Sequence, residues 1–300
     1  MSAMAAQGPV FDPPEGDGWR PWPAPAKLNL FLAITARRPD GYHALQTVFQ
    51  LLDWGDTVWL RPRADGRIVR HGAPAYAPEP ERDLAVRAAV ALQAASGTAM
   101  GADLRVDKRV PVGGGFGGGS SDAATALLAL SRLWGTGHDP VALAALGLTL
   151  GADVPVFVHG RSAWAEGVGE ALTPLALGER HYVVADPGVS VPTAALFQAP
   201  DLKRDARPAM IADFLSGQVR GNAFEPVLRH RAPLVACLLD RLGAFGEARL
   251  TGSGGGCFVE MPSRVDAEAV QQTLQAEGFA CRACTGVDRS PLLACLDRPG

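Results

Sequence analysis

Six of the seven residues 113–119 are glycines, and two hydroxyl side chains, Ser120 and Ser121, follow them directly. Glycine permits positive φ angles and lets the backbone approach a ligand closely. The alanine- and leucine-rich segment 123–134 favours a helix, and free N–H groups at a helix N-terminus bind anions. We therefore predict a phosphate-binding loop for a polyphosphate, with the two serines capping the helix and also reaching phosphate or Mg²⁺.

Two other phosphate motifs describe this loop poorly. No lysine follows its last glycine, as a Walker A motif requires. The spacing of Gly113, Gly115 and Gly118 matches a dinucleotide fingerprint, but no acidic residue ends a strand about 20 residues further on. A flexible linker is the plainer alternative, and it is disfavoured because the loop lies between a predicted strand and a predicted helix.

A second glycine cluster occupies residues 252–256, between two predicted strands. Alone it is equally compatible with a turn or a bulge. Beside a phosphate site it could cover the reacting hydroxyl or the phosphates.

Asp153 and Lys27 are the charged side chains that could serve a transfer reaction. Phosphoryl transfer asks a protein mainly for positioning and charge stabilisation. We expect Asp153 to orient an acceptor hydroxyl and to take its proton late, and Lys27 to offset negative charge on that oxygen. Taken singly, Asp153 is also compatible with a loop or cap residue and Lys27 with a solvated strand end.

Composition argues against several classes of function. The net charge is −3 and the pI about 6.1, so we predict no nucleic-acid partner. Five cysteines are an odd number, which disfavours a disulfide framework. Cys281 and Cys284 have CxxC spacing without a second pair or a flanking histidine, so we predict buried strand residues there and no metal site.

The segment 141–158 is long and apolar enough to be tested as a membrane span. Its glycines, Asp153 and Pro155 disfavour a span and predict a helix, a loop and a short strand. We expect a cytoplasmic protein with no membrane partner, a disordered N-terminal extension over residues 1–21, and a monomer or homodimer.

Strands and helices alternate without a strict βαβ rhythm, which favours an α+β fold. A glycine-containing stretch near 165–180 suggests two domains, 22–175 and 176–300. Strands are predicted at 27–35, 45–52, 57–60, 67–71, 102–107, 182–185, 248–250, 257–260 and 279–284, with a turn at 53–56. Helices are predicted at 82–96, 123–134, 140–148, 194–197, 234–242 and 266–277.

Three segments together resemble a known superfamily. PAKLNL (25–30), the glycine loop with its serines (111–121) and LTGSG (250–254) match the pattern of the galactokinase, homoserine kinase, mevalonate kinase and phosphomevalonate kinase (GHMP) superfamily. DGYH, GADVPVF and PGVSVPT resemble, within it, the family that phosphorylates the 2-hydroxyl of 4-diphosphocytidyl-2-C-methyl-D-erythritol in the non-mevalonate route to isoprenoid precursors. The resemblance runs from Trp22 to Leu296.

The resemblance implies ATP as phosphoryl donor, Mg²⁺, and a cytidine-diphosphate-linked methylerythritol as the small-molecule substrate. It implies a two-domain fold, with a ribosomal-protein-S5-domain-2-like N-terminal ATP-binding domain and a ferredoxin-like C-terminal substrate-binding domain. Lys27 and Asp153 match the catalytic pair. The residues matched to ATP binding are Lys108, Pro111, Gly113, Gly114, Gly115, Gly117, Gly118, Gly119, Ser120 and Ser121. Those matched to substrate binding are Asn29, Tyr42, His43, Thr193, Phe197 and Gly252.

Two positions depart from the family pattern. Phe116 stands where a leucine is expected, and it can still serve as an apolar plug under the loop. Asp83 stands where the family often has asparagine, near the adenine pocket.

Two alternatives stay open at this point. Another GHMP kinase, acting on a sugar, homoserine or mevalonate, is disfavoured by the DGYH and PGVSVPTAALF segments. A nucleotide-binding module without turnover would need no Lys27 and Asp153 together.

Overall fold

The structure is a computed structural model that describes residues 14–72, 79–189 and 191–298. Its helices are α1 Leu84–Ser96, α2 Gly118–Trp134, α3 Pro140–Leu148, α4 Val154–His159, α5 Thr193–Phe197, α6 Ile211–Leu215, α7 Glu225–Arg231, α8 Pro233–Gly243, α9 Arg264–Ala276 and α10 Pro291–Leu296. Its strands are β1 Arg20–Arg37, β2 His43–Arg63, β3 Ile68–Arg70, β4 Gly101–Asp107, β5 Ala163–Glu166, β6 Ala171–Pro174, β7 Arg180–Ala185, β8 Gly221–Asn222, β9 Ala248–Leu250, β10 Cys257–Met261 and β11 Cys281–Val287.

Within the described ranges, the eleven strands belong to one sheet. Its main path runs β3-β4-β2-β11-β7-β10-β9, while β1 pairs with β2 and β8, and β5 pairs with β2 and β6. The β1–β8 and β3–β4 pairs are parallel, and the other pairs are antiparallel. Because β11 joins β2 to β7, the sheet is continuous across the predicted domain boundary at 175, and that boundary stays a prediction.

The long strand β1 is the common wall of three hydrophobic cores. Ala24 belongs to the first core, under α1, α2 and α4; Leu28 to the central core, with Tyr182 and Phe258; and Ile34 to the core under α7, α8 and α9. Residues 24–34 of β1 are all buried. A polar side chain in the middle of this strand must therefore find partners inside the protein.

Helix α2 packs closely because its inner residues are small. Ala123, Ala124 and Ala126 are fully buried, so the helix lies near the sheet and near α1. Close packing fixes the position of its first turn, which opens on the glycine loop.

Several predicted elements are confirmed and three are wrong. The helices at 140–148 and 194–197, and the strands at 102–107 and 182–185, are present within a residue or two. The predicted turn at 53–56 is wrong, because β2 runs unbroken through it. The short strand predicted after Gly151 is instead α4, and α2 begins at Gly118, five residues before its predicted start.

The structure describes only part of the predicted N-terminal extension. Residues 1–13 of that prediction lie outside the described residues, whereas β1 already begins at Arg20. The centre of the Trp19 ring lies 4.8 Å from the Arg61 Cζ. The Trp19 and His71 rings meet edge-on, with their centroids 5.4 Å apart. These contacts hold the chain just before β1.

Two further sequence observations have structural outcomes. Cys281 and Cys284 lie on β11 as buried thiols, and burial raises the pKa of both, to about 12 for Cys281. Among the helices of the described residues, none combines the length and hydropathy needed to cross a membrane.

The unbroken course of β2 depends on Gly55. A Cβ atom there would lie 2.1 Å from the Ala24 carbonyl oxygen and 2.6 Å from the Pro25 Cα, both backbone atoms of β1. We expect Gly55→Ala to lower the free energy of unfolding by about 1–3 kcal/mol or more, because neither backbone can move aside. Chemical denaturation of wild type and variant measures this difference in the free energy of unfolding.

Gly243→Ala is the matched control for this variant. Gly243 ends α8 with no atom within 4 Å of an added Cβ, so alanine should be neutral or stabilise by up to about 1 kcal/mol. Equal stability of the two variants would contradict the close β1–β2 contact.

Candidate active site

A cavity of about 690 Å³ lies between β1, the glycine loop and the segment before α4. Successive glycines of the loop mark its course. An added Cβ at Gly117 would lie 3.1 Å from Lys27 Cε, one at Gly118 would lie 3.0 Å from Lys108 Nζ, and one at Gly119 would lie 3.5 Å from Leu84 Cδ1. The cavity wall thus runs from Lys27 at one end of the loop to α1 at the other.

Lys27 and Asp153 meet at the first end of this cavity. The Lys27 Nζ lies 3.2 Å from the Asp153 Oδ2, although 126 positions separate the two in the chain. The lysine side chain is 3% exposed and the aspartate 34%, so the pair opens to the cavity on the carboxylate side. Asp153 stands at the N-cap position of α4 without making a cap hydrogen bond, which leaves its oxygens available.

Residues of β1, β2 and the glycine loop hold Lys27 in place. Its Nζ donates to Asn29 Oδ1 and lies 5.4 Å from the centre of the Phe49 ring, while its backbone N–H donates to the Phe116 carbonyl at 2.9 Å. Asn29 is oriented in turn, because its Nδ2 donates to Thr47 Oγ1 at 2.8 Å and its backbone N–H to Thr251 Oγ1 at 2.9 Å. The ammonium is therefore fixed by partners on three separate segments.

The two glycine clusters contact each other backbone to backbone. The Gly256 N–H donates to the Gly114 carbonyl at 2.9 Å. An added Cβ at Gly115 would lie 2.3 Å from the Thr251 carbonyl oxygen, and one at Gly254 would lie 2.3 Å from that of Gly113. The second cluster supports the phosphate loop from behind, and only glycine fits at these positions.

The N-terminus of α2 supplies the unpaired N–H groups expected of an anion site. Gly117 is its N-cap residue with φ 77° and no side-chain cap, so the prediction that serines cap this helix is wrong. Ser120 lines the cavity, whereas Ser121 is fully buried and its hydroxyl has no hydrogen-bond partner. Phe116 is buried under the loop and meets Trp54 edge-on, as an apolar plug would.

An adjoining cavity of about 680 Å³ contains the aromatic residues predicted to bind a base. The His43 and Phe197 rings stack with centroids 4.7 Å apart, and Phe197 meets Phe224 edge-on. Tyr42 is 65% exposed above this cavity. Both cavities share the wall residues Leu45, Ala152, Val168, Thr193 and Phe197. One elongated ligand could therefore reach from the aromatic rings to Asp153.

His43 lines this second cavity, and its pKa favours the neutral imidazole at neutral pH. Burial, together with the nearby cations Arg204 and Arg37, lowers the pKa of His43 from its ordinary value. Its Nε2 is buried without a hydrogen-bond partner. A neutral imidazole has one donor and one acceptor nitrogen, which suits the edge of a base.

Comparisons with known proteins agree with this arrangement. Residues 83–161 match the family model for the GHMP kinases N terminal domain, and residues 196–280 match that for GHMP kinases C terminal. The 4-diphosphocytidyl-2-C-methyl-D-erythritol kinase of Xanthomonas campestris pv. campestris (strain B100) is 59% identical over 297 residues, 99% of this chain and 98% of that protein. This chain belongs to the 4-diphosphocytidyl-2-C-methyl-D-erythritol kinase family.

Two further relatives support this family membership. The kinase of the same name from Xylella fastidiosa (strain 9a5c) is 60% identical over 282 residues, 94% of each chain. A crystal structure of 4-(cytidine 5'-diphospho)-2C-methyl-D-erythritol kinase matches with a TM-score of 0.77 at 36% identity, covering 89% of this chain and 99% of that one. The predicted α+β GHMP kinase fold and the predicted family are therefore confirmed.

The structure of this GHMP kinase brings most of the predicted site residues together. Those lining the first cavity are Lys27, Asn29, Lys108, Pro111, Gly113, Gly115, Gly117, Gly118, Gly119, Ser120, Asp153, Thr193, Phe197 and Gly252. Tyr42 and His43 line the second cavity. Gly114 and Ser121 line neither cavity. The individual roles of all these residues stay predictions.

Sequence reasoning missed the residues that orient two of the predicted site residues, Asn29 and Thr193. Thr47 and Thr251 hold Asn29, and Ser253 exchanges a hydrogen bond of 2.8 Å with Thr193. Thr251 and Ser253 could have been found, because they flank Gly252 in the second glycine cluster. Thr47 carries no such signal, since it stands in an ordinary strand pattern.

The depressed pKa of His43 predicts a specific titration in this family member. In the unfolded chain His43 should take up a proton near pH 6.5, whereas in the folded protein it should do so at lower pH. The unfolded state then binds more protons below about pH 6.5, so His43 should reduce stability as the pH falls through this range. NMR titration of the histidine ring protons should show a midpoint below about 6.5.

His43→Phe serves as the control for this titration. It keeps an aromatic ring against Phe197, identifies the resonance by its loss, and should remove this part of the acid destabilisation. A His43 midpoint above that of free histidine would contradict the electrostatic description.

Proposed function

We propose that this chain transfers the γ-phosphoryl group of ATP to the 2-hydroxyl of 4-diphosphocytidyl-2-C-methyl-D-erythritol, in non-mevalonate isoprenoid precursor synthesis. The observation that carries the proposal is the Lys27–Asp153 pair at 3.2 Å, placed between the α2 N-terminus and the aromatic cavity. A donor held by the loop and an acceptor held by the rings would meet at this pair.

The nucleotide fits the glycine loop and the α2 N-terminus. Backbone N–H groups and the positive end of the α2 dipole favour the triphosphate there. The γ-phosphoryl group would lie at the Lys27 end of the loop, and the base would then lie toward Asp83 and Leu84, which line the far part of the cavity.

Asp153 has the position required of the residue that orients the acceptor hydroxyl. In a loose transition state the hydroxyl loses its proton late, so the carboxylate accepts that proton as the new O–P bond forms. Such an effect is worth about 10²–10⁴ in rate. As the bond from phosphorus to ADP breaks, Lys27 would offset the charge on the acceptor hydroxyl oxygen, and Asn29 keeps its ammonium aligned.

The donor groups in the cavity fit a Mg²⁺ ion that arrives with the nucleotide. Ser120 and the partly exposed Asp153 line the cavity beside the loop and would provide oxygen ligands. Within the described ranges no three histidine, cysteine or acidic side chains are grouped as a metal cage, so phosphate oxygens and water would complete the coordination shell. When bound, the ion neutralises charge on the phosphates.

The second cavity supports a cytidine-linked acceptor over a sugar, homoserine or mevalonate. Flat bases gain about 1–3 kcal/mol from stacking on aromatic faces, and the cavity presents Tyr42, His43 and Phe197. The smaller acceptors contain no flat aromatic ring that would stack on these faces. A cytoplasmic location, the lack of a nucleic-acid partner and the monomer-or-homodimer state stay predictions from sequence.

An ADP-release assay tests the proposed acceptor directly. We expect ADP release to depend on the cytidyl substrate and to stay at background with mevalonate, homoserine or galactose. Turnover of one of these and not of the cytidyl compound would overturn the substrate assignment. Nucleotide binding without turnover of any acceptor would favour a regulatory module.

Asp153→Asn tests the transfer step. We expect kcat to fall by about 10²–10⁴ while the Kd for a non-hydrolysable ATP analogue changes little, because the side chain keeps its shape and loses its basicity. Asp240→Asn, on the exposed face of α8, is the control and should behave as wild type. Unchanged turnover in Asp153→Asn would remove this residue from the mechanism.

Tyr42→Ala tests the base pocket. Loss of about 1–3 kcal/mol of stacking should raise the KM for the cytidyl substrate by roughly 5- to 150-fold, with little change for ATP. Tyr42→Phe keeps the ring and should remain close to wild type. A larger effect on ATP than on the cytidyl substrate would mean that the two subsites are reversed.

A further inference from the structure

A buried charge cluster lies directly beneath the start of α2, and the transfer chemistry does not use it. Lys108 Nζ donates to Asp56 Oδ2 and, at 2.7 Å, to Asp122 Oδ2. The Asp56 side chain is inaccessible to solvent, that of Asp122 is 7% exposed and that of Lys108 is 14% exposed. One basic and two acidic side chains thus lie together with little solvent exposure, and Lys108 and Asp122 also border the first cavity.

We infer that Lys108 is a positioning residue, which holds the two ends of the phosphate loop against β2 through Asp56 and Asp122. The inference rests on the nucleotide-binding part of the proposed function. It reassigns Lys108, which the sequence resemblance placed among the direct ATP ligands.

The three members of the cluster come from the segments that the loop connects. Asp56 lies on β2 and its Oδ1 accepts the backbone N–H groups of Arg109 and Val110, which lead into the loop. Asp122 lies in the second turn of α2, which leaves the loop. Lys108 bridges both carboxylates, so the residues before and after the glycines are tied to the same strand.

The ammonium also contacts the helix start itself. A Cβ added to Gly118, the first residue of α2, would lie 3.0 Å from Lys108 Nζ. A shift of this side chain would therefore move the N–H groups that face the phosphates. Displacements of about 1 Å at such positions cost up to about 100-fold in rate.

The charge balance explains why the cluster must be intact. Burial works against a charged Lys108, but Asp122 and Asp56 outweigh it and raise the pKa of the lysine. Burial, together with the nearby Asp56, raises the pKa of Asp122, and Lys108 opposes this rise. Asp122 Oδ1 is buried without a partner. Removing the ammonium would leave Asp56 and Asp122 side by side in a buried space without the cation that they share.

Lys108→Met is the first test, with Lys203→Met as the matched control at an exposed lysine. We expect Lys108→Met to weaken binding of a non-hydrolysable ATP analogue by about tenfold or more, measured by calorimetry on folded protein. The KM for the cytidyl substrate should change by less than about threefold, within the range of ordinary context effects. An equal rise for both substrates, or none for the nucleotide, would overturn the inference.

The double variant Lys108→Met/Asp122→Asn separates positioning from direct contact. It removes one of the two opposed carboxylates, so it should bind the analogue at least about threefold more tightly than Lys108→Met. A direct nucleotide ligand cannot be restored by a change at Asp122, so a double variant no better than the single would overturn the inference.

Two features keep these outcomes interpretable. Where Lys108→Met does not fold, the double variant is compared with Asp122→Asn alone. If Lys108 acts through Asp122, adding Lys108→Met to Asp122→Asn should cost little further affinity for the analogue. If Lys108 contacts the nucleotide directly, the further loss should be larger. Analogue binding is measured without any acceptor. If the cytidyl substrate is wrongly assigned, wild-type protein will still bind the nucleotide but will release no ADP when that substrate is added.

Discussion

The Lys27 ammonium lies almost out of contact with solvent, and the free energy of taking a charge out of water constrains everything around it. A buried charge is tolerated only where opposite charge and oriented dipoles replace its hydration. Lys27 has Asp153 at 3.2 Å, the Asn29 amide oxygen and the face of Phe49. Each lies on a different segment, so the ammonium is stable only when β1, β2 and the start of α4 are all assembled.

The glycine loop joins this centre to the C-terminal half of the chain. Its backbone lies so close to residues 252–256 that a single methyl group at Gly115 or Gly254 would overlap a carbonyl oxygen. Thr251, at the start of the same cluster, accepts the backbone N–H of Asn29. The same segment, residues 251–256, therefore both supports the glycine loop and helps to align Lys27 through Asn29. Residues distant in sequence must fold together before either subsite has its shape.

The sequence predicted features that depend on consecutive residues, such as the glycine loop. It did not predict features that depend on contacts between residues far apart in the chain. The glycine run predicted an anion loop because six glycines leave little other use for such a segment. The turn predicted at 53–56 failed, because Trp54-Gly55-Asp56 has the composition of a turn but is held extended by contact with β1. From that strand, Asp56 accepts a hydrogen bond from the backbone N–H of Arg109, 53 positions further along the chain and just before the loop. The serine cap failed because Gly117, with positive φ, already begins the helix.

Two lysines flank the start of α2, and their surroundings favour a reactive role for Lys27 and a supporting role for Lys108, as proposed above. Lys27 lies against Gly117 and Lys108 against Gly118, so both reinforce the positive end of the helix where phosphate is expected. The carboxylate partner of Lys27 is 34% exposed, whereas the partners of Lys108 are 0% and 7% exposed, although Asp122 borders the first cavity. A carboxylate can exchange a proton with a substrate only if the substrate can reach it. The same ammonium–aspartate pairing would therefore serve the proposed transfer on one side of the helix start and the proposed support of the loop on the other, and the exposure of the aspartate is the difference between them.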